Sequence, residues 1–370
     1  MYIGGHPASL PGFLRDAFVD ESASLNSEAV NLIEDNFYRK VPDSQLQNSS
    51  LEGMVRSLRS RFSRYFTPQQ NRLFEQATSG EFSGVGMTVL ERKRGLLVAG
   101  VFKDSPARRA GIRPGDLITK VNGHAIAGEP SDLSTARIKG RPGTSVRLTI
   151  ERRGARPRTL RVKRARIKVP VVSASLRRRG GDRLGVVNLS SFTTGAHADL
   201  AAAIRKLTHK GAQGFVLDLR GNGGGLLEEA VLVSSLFVPD GTIVTTKGRT
   251  KPERVFDATG DTITRKPVVV LVDRGTASAS EITAAALGER IHAPIVGQRT
   301  FGKGIYGQVF ELSNGGALDL IVGSYYTPEG KNLNLKGIVP DVRAKDDPAT
   351  RRDEALDRAL ATLAGRVNRG

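Results

Sequence analysis

Cysteine and tryptophan are both absent from the 370 residues, and aromatic side chains make up only 5% of them. The absence of cysteine excludes thiolate nucleophiles, zinc–thiolate sites and disulfides. No run approaches the roughly 20 apolar residues of a membrane-spanning helix. The first residues do not have the pattern of a signal peptide. One hypothesis for this start is that a membrane anchor precedes it, outside the present chain.

The net charge of +19 is concentrated in two arginine-rich stretches, 57–66 and 151–169. Such stretches bind nucleic acid, anionic lipid or cell-wall polymer, or they simply form a solvated surface. The second stretch alternates apolar and basic residues, which predicts a half-exposed strand. It has no interleaved aromatics for stacking bases, so we expect no nucleic acid. An anionic membrane or cell-wall surface stays open as a partner.

Residues 1–78 are predicted to be a helical region. Apolar residues recur at helical spacing in the segment 27–41 and again in the segment 50–62. Both segments begin with serine, followed soon by glutamate, as helices often do. These helices are too short for a large core, so they are expected to pack on a partner domain or a second subunit.

Residues 79–168 change to short strands, glycines and turns. A strand pair precedes a short helix that begins at Ser105-Pro106 and ends at Gly111. The turn Pro114-Gly115-Asp116 then leads into another strand. The pattern predicts a compact domain of about ninety residues, within the usual size range.

Residues 169–345 alternate apolar strands with helices, and a final amphipathic helix lies within 346–370. Strands that are apolar throughout are typical of a parallel or mixed sheet covered on both faces. The chain as a whole is therefore predicted to be a multidomain α/β protein, with helices, a small strand-rich domain and a larger core.

Two strand ends in this core are candidate sites, because ligands gather at the carboxyl ends of parallel strands. The glycine loop DLRGNGGG, 218–225, lets backbone N–H groups converge. It lacks the Lys-Ser/Thr ending of a phosphate-binding loop, so a nucleotide is not expected. The stretch GTASASE, 275–281, begins a helix and suits an oxyanion. Its Ser278 and Glu281 also fit an ordinary capping box.

A lysine flanked by glycines, Lys303, follows in a third strand-end segment, 297–308. Burial disfavours the charged form of a lysine and so makes it a usable general base. The histidines are not placed as the base of a Ser-His-Asp triad, nor spaced as metal ligands; they are His6, His124, His197, His209 and His292. We therefore expect no metal and no cofactor.

In this order and spacing, the motifs resemble the C-terminal processing peptidase family, also called tail-specific proteases. The resemblance covers about 80–345. FSGVGM (82–87) and DSPARRAGIRPGDLITKVNG (104–123) resemble a PDZ domain, and the core motifs are DLRGNGGG, GTASASE, TFGKG and YYTPEGKNLNLKGIVPD. The fold implied is a ClpP- or crotonase-like α/β protease core (169–345) with an inserted PDZ domain (79–168).

The resemblance implies roles for particular residues. Ser278 matches the family nucleophile, and Lys303, 25 residues later, matches the family general base. The N–H groups of Ala279 and Gly224 match the oxyanion hole. The implied activity is a serine endopeptidase that cleaves proteins near their C-termini through an acyl-enzyme.

In the PDZ domain, Gly84, Val85, Gly86 and Met87 match the loop whose N–H groups hold a peptide's C-terminal carboxylate. Partners implied are protein or peptide substrates with free C-termini, whose tails the PDZ domain would capture while gating the site. The resemblance also suggests an extracytoplasmic location and a homodimer formed through the terminal helices.

One position departs from the family pattern. The glutamine expected four residues after the lysine is Gly307 here, and Gln308 follows one residue later. A slip of one residue reverses the face of a regular strand, unless a bulge restores it. Gln308 is thus a doubtful third catalytic member. The alternative function is a catalytically silent, PDZ-bearing protein that binds or scaffolds peptides.

Overall fold

The computed structural model describes residues 29–33 and 42–369. Residues 29–33 are helical. The helices that follow are α1 (Asp43–Ser57), α2 (Pro68–Ser79), α3 (Pro106–Arg109), α4 (Ser131–Ile138), α5 (Ala196–His209), α6 (Leu227–Ser235), α7 (Ala279–Ile291) and α8 (Glu354–Val367). No described helix is both long enough and apolar enough to cross a membrane.

The chain divides into two compact units, and the smaller consists of Met1–Asn71 and Gly307–Val322. Within its described part, strand β1 (Arg64–Phe66) pairs antiparallel with the first residues of β18 (Ala317–Tyr326). The Tyr65 hydroxyl donates to Asn48 Oδ1 of α1 over 2.7 Å. Helix and strand are thereby held together in this unit.

Helix α1 differs from the helix predicted over 50–62. It begins at Asp43, after Pro42, which is the N-cap residue and has the extended backbone usual there (φ −66°, ψ 137°). It ends at Ser57, because the chain reverses at Arg59, which has a φ of +50°. Phe62 therefore lies outside the helix. The other predicted helix, over 27–41, is described only at 29–33, and its remaining residues lie outside the described part.

The PDZ region belongs to the larger unit, which comprises Arg72–Tyr306 and Gly323–Gly370. Its sheet runs in the order β3-β4-β5-β7-β8, with β6 beside β5. The strands are β3 (Met87–Arg92), β4 (Gly95–Val101), β5 (Leu117–Val121), β6 (His124–Ala125), β7 (Ser145–Glu151) and β8 (Arg158–Lys163). Leu160 is partly buried and Val162 buried, which confirms the predicted half-exposed basic strand.

Helix α3 begins as the sequence predicts. The Ser105 side chain accepts a hydrogen bond from the Arg108 N–H, and Pro106 opens the helix. Gly111 follows the helix with a φ of +81°, which favours glycine. A two-stranded ladder of β2 (Glu81–Gly84) and β9 (Ala165–Lys168) lies at the two ends of the PDZ segment.

The core is a mixed sheet in the order β10-β11-β12-β15-β16-β19. Its strands are β10 (Val172–Arg179), β11 (Asp182–Leu189), β12 (Gly214–Asp218), β15 (Val268–Val272), β16 (Ile295–Gly297) and β19 (Val342–Arg343). Only the β10–β11 pair is antiparallel. Every residue of β12 and β15 is buried, as their apolar sequences predict.

Helices cover both faces of this sheet, which confirms the prediction. One face packs on α5, α6 and α7, and the other packs on α8 through Leu360 and Leu363. Strands β13 (Thr242–Gly248) and β14 (Arg254–Asp257) pair with each other, and β13 also pairs with the last residues of β18. Strand β17 (Ile305–Glu311) pairs with β18 as well.

A buried carboxylate, Asp116, holds the turn that enters β5. It is 1% exposed and accepts hydrogen bonds from Arg152, at 2.6 and 2.8 Å, and from the Arg113 N–H at 2.8 Å. Burial alone would raise the pKa of Asp116, but the Arg152 and Arg113 hydrogen bonds outweigh it, so this pKa is lowered. The stabilisation is present above the unfolded pKa and is lost as the pH falls through the folded one.

We predict that Asp116→Asn lowers the free energy of local unfolding of the PDZ sheet by about 2 kcal/mol at pH 7, because it leaves Arg152 without a charged partner. The difference in this free energy between the wild type and Asp116→Asn should shrink below about pH 4, where the carboxyl of the unfolded chain binds a proton. Amide hydrogen exchange at Ile118 and Leu148 in the full chain measures it. The control is Glu151→Gln, which removes the exposed Arg94 pair. An unchanged exchange rate in Asp116→Asn would contradict the prediction.

Candidate active site

The loops that follow β12 and β15 meet because these two strands are parallel neighbours, with Asp218 opposite Leu271. The first is the glycine loop, 218–225, and the second is the serine loop, 273–280. Four hydrogen bonds join them. They run from the Gly221 N–H to Asp273 Oδ1 (2.9 Å), from Thr276 Oγ1 to the Leu219 carbonyl (2.9 Å), and from the Ala277 N–H and the Ser280 hydroxyl to the Asn222 carbonyl (3.0 and 2.9 Å). The sheet therefore brings the two predicted strand-end motifs together.

Ser278 sits at the turn between the serine loop and α7. Its backbone has φ +58° and ψ −120°, a conformation that L-residues rarely adopt. A strained serine between a strand and a helix is the geometry of a nucleophile elbow, in which the hydroxyl stands clear of the backbone. The residue is only partly buried. The predicted capping box with Glu281 is also present, so the two interpretations of Ser278 are compatible.

The Glu281 carboxylate is fully buried, at 0% exposure, and accepts four hydrogen bonds. Oε2 accepts from the N–H groups of Ser278 and Lys303, each at 2.9 Å. Oε1 accepts from the Gly302 N–H at 2.8 Å and from the Thr300 hydroxyl at 2.5 Å. The backbone nitrogens of Ser278 and Lys303 are thus no farther apart than twice 2.9 Å.

The backbone carbonyls of Lys303 and of the next residue, Gly304, accept hydrogen bonds from Tyr325. The Tyr325 hydroxyl donates to the Lys303 carbonyl, and the Tyr325 N–H donates to the Gly304 carbonyl at 3.1 Å. Burial, and then the charge of Glu281, raise the pKa of Tyr325 well above its usual value. The hydroxyl therefore keeps its proton and remains a donor. Lys303 itself is partly buried.

The two glycines beside Lys303 are required by a second segment that packs on them. A Cβ on Gly302 would lie 2.8 Å from the Gly337 nitrogen, and one on Gly304 would lie 2.3 Å from the Asn334 nitrogen. No side chain fits at either position without moving backbone. The glycines thus allow residues 332–337 to pack against the lysine segment.

Gly224 of the glycine loop lies directly against Ser278. A Cβ on Gly224 would lie 2.9 Å from the Ala279 nitrogen and 2.9 Å from Ser278 Cβ. The structure therefore brings together Ser278, Ala279 and Gly224, three of the predicted site residues. The Gly224 N–H donates to Asn222 Oδ1 at 2.9 Å.

Asn222 is fully buried and connects the glycine loop to its neighbours by hydrogen bonds. Its Nδ2 donates to the Leu189 carbonyl at 2.8 Å, and its own carbonyl accepts from the Ser280 hydroxyl at 2.9 Å. Asn222 belongs to the glycine motif, for which the sequence predicts backbone N–H groups and no role for this side chain. Its position between two glycines, where an amide side chain can bond nearby backbone, is the signal that could have identified it.

Arg220 connects the glycine loop to the C-terminal segment. It donates to Asp218, to Asp346 at 3.2 Å and to Asp353 at 2.8 and 2.9 Å. Asp353 also caps α8 through the Leu356 N–H. Burial would raise the pKa of Asp353, but Arg220 and the Leu356 N–H lower it overall. The loop is thereby fixed to α8 by a charged network.

Two of the described histidines, His197 and His124, lie beside glutamates. His197 Nδ1 is 2.9 Å from Glu229 Oε2, and Glu229 also accepts from the Gly195 N–H at 2.7 Å, which joins the starts of α5 and α6. His124 is 3.7 Å from Glu129. His6 lies outside the described residues. Within the described part of the chain, no cluster of three or more His, Asp or Glu side chains could hold a metal.

Gln308 lies on β17 and is exposed. At the preceding position, a Cβ on Gly307 would come within 2.6 Å of Asp319 Oδ1, so a larger side chain there would require the Asp319 carboxylate to move. Its role as a third catalytic member stays a prediction.

The predicted PDZ loop, Gly84 to Met87, borders a cavity of 360 Å³ between β3 and α4. Gly86 has a φ of +83°, and a Cβ there would lie 2.4 Å from Ser105 Cβ. The loop is joined to α3 by the Ala107 N–H, which donates to the Val85 carbonyl at 2.8 Å. Leu73 of α2 also lines the cavity.

Comparison with known proteins places these features in families. Residues 183–344 match peptidase family S41, and residues 97–152 match a PDZ domain. The carboxy-terminal processing protease CtpA of Bacillus subtilis is 37% identical over 86% of this chain and 68% of its own length. A CtpA-like serine protease of Staphylococcus haemolyticus is 34% identical over 85% of this chain and 63% of its own length. The chain thus spans about two thirds of the length of these relatives.

Among solved structures, the photosystem II D1 C-terminal processing protease is similar over 92% of this chain and 98% of its own, with a TM-score of 0.54 and 28% identity. Its fold therefore matches both the PDZ region and the core.

We predict that Glu281→Gln lowers kcat by about 100-fold or more, since small displacements of reacting groups cost this much. The amide keeps the shape but replaces one acceptor oxygen with a donor that faces backbone N–H groups. The free energy of unfolding should fall by about 2–4 kcal/mol. Steady-state peptide hydrolysis and thermal unfolding measure the two effects. Glu289→Gln on the same helix serves as the control, and wild-type kcat in Glu281→Gln would contradict the prediction.

Proposed function

We propose a mechanism from the premise that this chain belongs to the C-terminal processing serine peptidases of family S41 and carries a PDZ domain. In this mechanism Ser278 is the nucleophile and Lys303 is the general base. Neutral Lys303 takes the hydroxyl proton of Ser278, which attacks the peptide carbonyl. The lysine then gives that proton to the leaving amine, and afterwards activates the water that hydrolyses the acyl-enzyme.

The observation that carries this proposal is the shared hydrogen bond to Glu281. One carboxylate oxygen accepts from the backbone of both Ser278 and Lys303. Residues 25 positions apart are held side by side in this way, with Ser278 in the strained conformation of a nucleophile elbow. A structural capping role for Glu281 would not require the contacts to Lys303, Gly302 and Thr300.

The oxyanion is proposed to bind at the start of α7. Ala279 is the first residue of that helix, and its N–H points to the helix start, where unpaired N–H donors and the helix dipole favour a negative charge. Gly224 supplies the second donor in this proposal. Because its N–H donates to Asn222 in the structure, we infer that the N–H exchanges that acceptor for the oxyanion as the substrate reacts.

Capture of the substrate tail is assigned to the PDZ cavity. A peptide C-terminus would add as a strand beside β3, with its carboxylate at the Gly84–Met87 loop and its last side chain in the cavity. The cavity is lined mainly by apolar residues, among them Phe82, Val85 and Ile138. This favours apolar C-terminal residues. From the family resemblance we also propose an extracytoplasmic location.

The experiment compares cleavage of an unfolded protein with an apolar C-terminus by the wild type and by variants. We expect Ser278→Ala and Lys303→Ala each to lower kcat/KM by at least about 10³-fold without loss of folding. Ser324→Ala and Lys331→Ala are the matched controls. We expect Gln308→Ala to cost less than about tenfold (about 1.4 kcal/mol), since Gln308 is exposed.

Activity that survives either dyad substitution would remove that residue from the mechanism. If the wild type does not cleave but still binds the tail peptide, the alternative function of a silent, PDZ-bearing binding protein would be favoured.

A further inference from the structure

A cavity of 390 Å³ lies at the carboxyl ends of β15, β16 and β19. This is the edge of the parallel sheet from which the serine loop also leaves, and ligands of such sheets bind at this edge. Its lining includes four cationic side chains, Arg274, Arg299, Arg343 and Lys345, and no acidic one. Val339 and Pro340 supply an apolar wall.

The carboxylates that neighbour these cations in sequence are occupied elsewhere. Asp273 accepts from the N–H groups of Gly221 and Gly275, each at 2.9 Å. Asp341 accepts from the Ile295 N–H at 2.8 Å, and Asp346 pairs with Arg220.

Among the described residues, none of the four cations therefore forms an ion pair with a carboxylate. The one hydrogen bond from their side chains runs from Arg299 to the Lys336 carbonyl, at 3.5 Å. The cavity holds a cluster of like charges without counter-charges from the described chain.

Two of these cations belong to the segments that carry the proposed dyad. Arg274 lies four residues before Ser278, and Arg299 lies four residues before Lys303. The Phe301 N–H donates to the Thr276 carbonyl at 3.0 Å, so the two segments are also joined beside the cavity. A ligand held by both arginines would bridge the serine loop and the lysine segment.

We propose that this cavity binds a multivalent, phosphate-type anion. Clustered cations repel one another and lower the stability of the compact state, and a bound anion would relieve that repulsion. Guanidinium groups match phosphate oxygens through paired hydrogen bonds, and three of the four cations are arginines. A single carboxylate carries one charge, whereas a chain of phosphates presents several to the four cations. The volume lies in the range of small-molecule sites, about 300–1,000 Å³.

The cavity has no part in the proposed hydrolysis of peptides, so the proposal can be tested by anion binding alone. The probe is tripolyphosphate, titrated calorimetrically into the full chain at ionic strength held constant with sodium chloride. Saturable one-to-one binding is expected for the wild type. The double variant Arg343→Ala/Lys345→Ala should bind at least about tenfold more weakly, because it loses two charge-assisted contacts.

The matched control is Arg351→Ala/Arg358→Ala, which removes the same number of charges from exposed positions outside the cavity. It should bind tripolyphosphate within about threefold of the wild type, since neither side chain lines the cavity and the ionic strength screens charges that do not contact the anion. If both double variants weaken binding equally, or if binding by the wild type does not saturate, the effect is that of net charge and the proposal is wrong. Arg343→Gln provides a milder test in case the double variant does not fold.

Additional binding experiments distinguish a lipid headgroup from a soluble oligophosphate as the source of the phosphate. Vesicles of phosphatidylglycerol, with phosphatidylcholine as the reference, test a lipid headgroup, while tripolyphosphate tests a soluble oligophosphate. Weaker binding of either probe by Arg343→Ala/Lys345→Ala but not by the control supports the site and identifies its source. If only polyglutamate shows this pattern, the cavity is a site for acidic peptides and the phosphate proposal is overturned.

Discussion

The buried carboxylate of Glu281 is the interaction on which the geometry of the site depends. It accepts four hydrogen bonds, from the Ser278 N–H and from the segment Thr300 to Lys303. An ionised carboxylate has acceptors only, so it can satisfy converging donors where an amide cannot. A charge at 0% exposure would be costly without such partners. The same hydrogen bonds that stabilise the buried carboxylate align the Ser278 backbone with the Lys303 segment.

The surrounding loops form one connected set of hydrogen bonds. Asn222 and Asp273 join the glycine loop to the serine loop, and Arg220 joins the glycine loop to α8. Tyr325 holds the lysine segment from β18. The strained backbone conformation of Ser278 is maintained because several hydrogen bonds of this network fix the segment around it. Hydrogen bonds to neighbouring segments therefore hold these short loops in place.

The sequence predicted the pattern of the core closely, because apolar strands and capped helices are local signals. Ser278 and Lys303 could be located from motifs, and the structure brings their backbones together. Glu281 was recognised only as a helix cap, because its contacts with residues 300–303 depend on tertiary packing. Tyr325 has no local signal, since its acceptor lies 22 residues away. Helix α2 lies almost entirely within the helical region predicted over 1–78, although neither of the two predicted helical segments includes it.

The central claim is that Lys303 activates Ser278. The most direct measurement is the rate at which a fluorophosphonate labels Ser278, followed by mass spectrometry across a range of pH. The account predicts a single labelled residue, Ser278, with a rate that rises with pH through one deprotonation and is abolished in Lys303→Ala. Labelling of Lys303→Ala at the wild-type rate and with the same pH dependence would contradict it.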